Sequence, residues 1–189
     1  MVRSVAAAAT FALLVVRACA GFDFTPHDSF YEIEGIRIPI LKFHDRGKII
    51  SYTPPAQWHP SGRGKTLALF PPKAVQAGAV FEAVSASSKP LQAVPENVGT
   101  FRMLAVGLLP PDASKVTVTA AAVSELQISG RPGVEVLLSY TSCAQQFTMT
   151  VLFIPHDEEL LHLRFTAHTA DFAALEKLFR RSLYSLQGL

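Results

Sequence analysis

The chain is short of the residues from which most active sites are built. Its 189 residues hold two cysteines, Cys19 and Cys143, one tryptophan, Trp58, and only 17% charged residues. No Cys-x-x-Cys pair, no Gly-x-Ser-x-Gly elbow and no His-Glu-x-x-His motif occurs. The local signatures of thiol–disulfide exchange, α/β-hydrolase and zinc-protease chemistry are therefore absent. No run of Lys or Arg exceeds Arg180-Arg181. Nucleic-acid binding needs a concentrated basic surface to release counterions from phosphate, so nucleic acid is set aside as a partner. Gly64-Lys65-Thr66 ends like a phosphate-binding loop, but His59 stands where that motif needs its first glycine, and a strand-like segment rather than a helix follows.

What is present is apolar. Hydrophobic residues make up 49% of the chain, enough for a sizeable core. The first segment has the order of a secretory signal peptide: a basic start at Arg3, an alanine-rich apolar stretch from Val5 to Val16, and the small-residue pattern Ala18-Cys19-Ala20. That stretch is too short to span a bilayer. Cleavage after Ala20 is expected, with export to the periplasm or the extracellular space. The alternative is lipidation of Cys19, disfavoured because Arg17 interrupts the small apolar box such processing needs. Loss of Arg3 and Arg17 from the 17 basic residues leaves 15 against 15 acidic ones, a neutral mature protein. Cys143 is then the sole cysteine, expected as a small buried hydrophobe.

Residues 21–29 read as an exposed lead-in, and residues 30–189 as a single domain. Alternation of apolar and polar residues predicts a strand from Phe30 to Ile38, extended by Leu41-Lys42-Phe43 past a bend or edge at Pro39. Asp45-Arg46-Gly47 predicts a turn, and Lys48 to Thr53 a strand stopped by Pro54-Pro55. His59 to Gly64 reads as a flexible loop, Leu67 to Phe70 and Gly78 to Ser85 as strands, and Ser87 to Pro90 as a linker. Val98, Phe101, Leu104, Ala105 and Leu108 recur at helical spacing up to Pro110-Pro111. Lys115 to Ile128 predicts a strand, ended by the turn Ser129-Gly130-Arg131-Pro132-Gly133.

Three further strands form an antiparallel meander. Val134 to Tyr140, Phe147 to Phe153, and Leu161 to Phe165 each carry an apolar set at alternate positions, placed on one core face with the other face partly wet. A closing helix runs from about Ala170 to Leu186 with Thr169 as N-cap. Its stripe of Phe172, Leu175, Leu178, Phe179, Leu183 and Leu186 is expected on the apolar sheet face. The fold class is α+β, a mostly antiparallel sheet with helices packed on it.

Tyr52-Thr53-Pro54-Pro55-Ala56-Gln57-Trp58 resembles the Tyr-x-Pro-x-x-Trp segment found early in small exported proteins of the PsbP/DcrB/Mog1 type. The Ile128-to-Gly133 turn before the meander and the final amphipathic helix are similar too. The resemblance covers roughly Lys48 to Leu186 and implies an α-β-α sandwich. It carries no activity and no ligand residues to this chain, because fold does not fix function.

Two constellations remain as candidate sites. His156-Asp157-Glu158-Glu159 with His162 is the densest grouping of metal-ligand types, but polar residues are expected in a turn between strands, so neither a metal nor a cofactor is assigned. Glu135, His162 and Arg164 lie at alternate positions of neighbouring strands and would share the polar sheet face. A carboxylate, an imidazole and a guanidinium there could bind a small anion or perform acid–base work. The leading expectation is a non-enzymatic exported accessory module with an envelope or extracellular protein partner. The alternative is a small hydrolase or small-anion-binding protein using the Glu135/His162/Arg164 face.

Overall fold

Tight turns with two left-handed or glycine positions punctuate the chain and fix where its strands begin and end. A computed structural model describes residues 21–85 and 91–189. The expected signal segment with Cys19 and the expected linker at 87–90 lie outside the described residues. Ten strands and two α-helices follow in order: β1 (Phe22–Ile33), β2 (Ile36–Asp45), β3 (Lys48–Tyr52), β4 (His59–Arg63), β5 (Thr66–Phe70), β6 (Gly78–Ser85), α1 (Val98–Gly107), β7 (Ser114–Val123), β8 (Val134–Ser142), β9 (Gln145–His156), β10 (Glu159–His168) and α2 (Thr169–Leu183). The strands form two antiparallel sheets, a three-stranded one of order β1-β2-β3 and a seven-stranded one of order β4-β5-β6-β10-β9-β8-β7.

The N-terminal third departs most from the sequence reading. Phe22 to Ser29 is strand, not a lead-in, and it carries Phe22 and Phe24 into the core. The Phe30–Ile38 segment is not one strand. Glu34 and Gly35, at φ 49° and 78°, make a two-residue turn that folds it into the β1–β2 hairpin. His59 to Arg63 is a strand, not a flexible loop. Its Gly62 is required by close approach: a Cβ there would sit 2.7 Å from the carbonyl oxygen of Phe24.

The seven-stranded sheet carries a helix on each face. Phe101 and Ala105 of α1 lie on the first face with Val134, Val136, Leu138, Met149, Val151 and Phe153. On the second face, Phe179 and Leu183 of α2 join Leu67, Phe81, Leu163 and Phe165, together with Phe43, Ile50 and Tyr52 of the small sheet. The helices therefore sandwich the large sheet, with the small sheet added on the α2 side. The expected division into one core face and one partly wet face does not hold, and the reason is register. The turn at Asp157-Glu158 pairs His156 with Glu159, so Arg164 faces Val151, and Phe153 faces His162. Leu161, Leu163 and Phe165 thereby belong to the opposite face from the apolar sets of β8 and β9.

Three side-chain expectations are corrected. Leu178 is 47% exposed and does not pack on the sheet. Thr169 is the first helical residue rather than the N-cap, and its hydroxyl lies 3.0 Å from that of Thr148 on β9. Cys143 is exposed, held with Ala144 at positive φ in the turn between β8 and β9.

Candidate functional site

The predicted face divides in two. Glu135 pairs with Leu152, and Leu152 with Leu163, so Glu135 points to the α2 side. His162 and Arg164 point to the α1 side. Residues on opposite faces of a sheet cannot act on one ligand, so the three-residue constellation is not assembled. Glu135 instead anchors α2: Arg180 donates to both of its carboxylate oxygens, one bond being 2.9 Å, and Ser124 and Thr150 donate to the same group. Burial alone would raise its pKa, but the Arg180 hydrogen bonds hold it below the usual carboxylate range. The space beside it is about 10 Å³, about one water.

His162 is buried with its ring edge-on to Phe153, centroids 5.0 Å apart. Desolvation, helped by the nearby Arg164 cation, lowers its pKa to about 4. It is a neutral core imidazole at physiological pH. Arg164 is half-buried and donates to the carbonyl of Leu108 at 3.2 Å, just past the end of α1. It lines an open cleft of about 470 Å³ that α1 leaves uncovered, with Tyr140, Met149 and Thr166 beside it and Phe70 and Pro110 at its rim.

A second concavity lies at the Pro-Pro-x-x-Trp segment. β3 pairs with β2 only from Leu41 to Asp45, so the outer half of the β1–β2 hairpin projects beyond the third strand. Along it Phe30, Tyr31, Ile33 and Ile36 are exposed, Phe30 at 53% and Ile36 at 66%. The guanidinium of Arg37 sits 4.5 Å over the Phe30 ring. Between this ribbon and residues Pro54, Pro55 and Gln57 runs a groove of about 490 Å³, with buried Trp58 at its base. Trp58 is held there against Phe165, centroids 5.9 Å apart. Pro39 marks the unpaired edge of β2, where a missing N–H costs no ladder bond. Reading Phe30 to Ile38 as a single strand concealed this surface. Glu34-Gly35 was the signal that could have revealed it.

The His156 cluster is real but differs in membership. Asp45, His156 and Asp157 bring potential ligand atoms within 4.8 Å of one another, and among the described residues this trio could offer ligands to a cation. His162 lies apart on the first sheet face. His156 Nε2 is 2.8 Å from Asp45 Oδ2, and both residues are buried. Arg46 already binds Asp157 at 2.7 Å and Lys65 binds Glu159 at 2.6 Å. Of the trio's carboxylates, Asp157 is thus already paired with a protein cation, Arg46.

No protein-family model and no curated protein matches the sequence. Solved structures do match the fold. A protein of unknown function from Pseudomonas aeruginosa aligns over 86% of this chain and 98% of its own, at 16% identity and a TM-score of 0.50. Cyanobacterial PsbP (CyanoP) from Synechocystis aligns over 74% of this chain and 86% of its own, at 10% identity and a TM-score of 0.51. The chain has a PsbP-like α-β fold, as the Tyr-x-Pro-x-x-Trp resemblance implied. At these identities the likeness concerns fold alone.

Proposed function

We propose that this protein is exported and acts as a non-enzymatic accessory module, docking a protein partner in the envelope or outside the cell through the outer β1–β2 hairpin. The observation that carries this reading is the set of exposed Tyr31, Ile33 and Ile36, which the β1–β2 register places on one face of a ribbon that projects past β3. Solvent-exposed apolar side chains gathered on one element mark an interaction surface, whereas single scattered ones do not. The groove against Pro54 and Pro55 opens on the ribbon's other face, where Phe30, Arg37 and Pro39 line it. The signal-like N-terminus and the neutral mature charge fit an extracytoplasmic partner recognised by apolar contact.

The test is crosslinking in the native host followed by mass spectrometry, with the wild type beside Ile33→Glu/Ile36→Glu. Both side chains are exposed, so the double variant should fold. A dominant partner captured by the wild type and lost with the variant is expected. Equal capture by both, or none by the wild type, overturns the proposal.

The Arg164 cleft favours a second reading, a site for a small anion with an apolar body. Arg164 is the sole charged residue lining it among the described residues. The acid–base form of that reading loses support, because Glu135 lies across the sheet. Titration with inorganic phosphate and with short-chain carboxylates, followed by NMR at Thr166 and Tyr140, is expected to show saturable shifts abolished by Arg164→Met. Flat spectra would end this reading.

A further inference from the structure

Glu159, the first residue of β10, is buried yet charged. Its carboxylate accepts from Lys65 Nζ at 2.6 Å, from the backbone N–H of Phe22 at 3.2 Å and from Ser85 Oγ at 3.5 Å. Arg46 Nη2 lies 3.9 Å away. Gly21 rests against the same group: a Cβ built on it would stand 2.7 Å from Glu159 Oε1 and 3.2 Å from its carboxyl carbon. A larger residue at this position would push the Glu159 carboxylate aside.

Glu159 shares one of its cations: Arg46 lies nearer Asp157 than Glu159 and also contacts Asp45. Asp45, Asp157 and Glu159 are three carboxylates, while Arg46 and Lys65 are two fixed cations. His156 completes the group beside Asp45. Buried charges are retained at low cost only when they are paired.

We infer that Glu159 is the receptor for the α-ammonium group of Gly21, created when the chain is cut between Ala20 and Gly21. The inference rests on the export reading for its cleavage point. Hydrolysis of that peptide bond puts the Ala20 carboxylate on the departing segment and a new amine on Gly21. The amine protonates and supplies a further cation where a neutral amide stood before. The pair clamps the start of β1 to β10, next to Phe22 and Phe24, whose burial joins the small sheet to the large one. Processing thereby completes the fold. An uncut chain keeps its core but lacks this clamp.

The charged and titratable groups gathered around the amine's partner are Glu159 of β10, Asp157 of the β9–β10 turn, Asp45 at the end of β2, Arg46 of the β2–β3 turn, Lys65 of the β4–β5 turn and His156 at the end of β9. Two chains separate the inference from the export reading: one beginning at Gly21, and the same chain Nα-acetylated. The free-amine chain is expected to melt higher by roughly 5 °C, with the difference gone in Glu159→Gln. NMR titration of the amine provides a second readout that does not depend on that variant folding. Its pKa is expected above the ordinary α-amino range of about 7.7–8.0. Equal melting of the two chains, or an ordinary amine pKa, overturns the pairing. Intact mass of the exported protein tests the cut separately. A start other than Gly21, or an acylated Cys19, overturns the processing step even where the pairing holds.

Discussion

His162 shows how burial turns a titratable side chain into a pH-dependent structural element. Its folded pKa, about 4, lies below the ordinary value of 6.5. Above pH 6.5 the ring is neutral in both folded and unfolded chains, and its contribution to stability is fully present. As pH falls from 6.5 towards 4 the unfolded chain takes up the proton first, so stability declines across that window. A shift of this size implies a loss of about 2 kcal/mol by pH 5. The variant His162→Leu is expected to flatten the stability profile between pH 6.5 and 4.5 in denaturant melts, relative to the wild type. Cys143 offers the opposite case, a residue whose type conflicts with its backbone. Cys143 and Ala144 sit at φ 48° and 62° in a two-residue hairpin turn. Asn-Gly suits that geometry far better, so Cys143→Asn with Ala144→Gly is expected to gain about 1 kcal/mol in chemical denaturation. A neutral or destabilising result would mean that the contacts of Cys143 with Asp112, an N–H···O bond of 3.1 Å and an S–H···O contact of 3.5 Å, outweigh backbone strain.

Among the elements, α2 carries the sharpest contrast between periodicity and packing. Leu178 and Phe179 are adjacent and both apolar, yet Leu178 is exposed while Phe179 is buried between Phe81 and Phe165, with centroids 6.0 and 5.6 Å away. Phe179→Ala should cost about 3–5 kcal/mol, the usual range for emptying an aromatic site. Leu178→Asp should cost under about 1 kcal/mol, since it removes little buried area. Urea titrations of the two variants would reverse this ranking if α2 were rotated from its position here. The Glu135–Arg180 pair fixes that rotation. It lies a quarter-turn from the apolar stripe and adds a directional contact that hydrophobic packing cannot supply. Hairpin turns decide orientation in the sheet in the same way. The two-residue connection at Asp157-Glu158 sets the parity of the β9–β10 register and sends His162 to one face and Leu163 to the other.

For the molecule as a whole, the buried centre and the projecting ribbon should differ in local stability. β9 and β10 are paired on both sides and covered on both faces, whereas the hairpin from Ser29 to Ile40 has no third strand beside it. Amide hydrogen exchange is expected to be slowest in β9 and β10 and fastest in that ribbon. Protection of Ile33 to Ile38 matching that of β10 would show that the ribbon is covered by something else, such as a second copy. The sequence alone was sufficient for the α+β class, both helices, the three-strand meander and the stop at Pro54-Pro55. Each is dictated by local information, namely 3.6- or 2-residue periodicity and the fixed φ of proline. Tertiary structure alone decided which face each strand presents, that Glu135 stands across the sheet from His162 and Arg164, and that Asp45, Arg46, Lys65 and Glu159 converge. These depend on register and on contacts between residues up to 137 positions apart, such as Phe22 with Glu159. A periodicity confined to one strand contains no term for its neighbour, so a pattern can place a residue on an alternate face without stating which face its partners share.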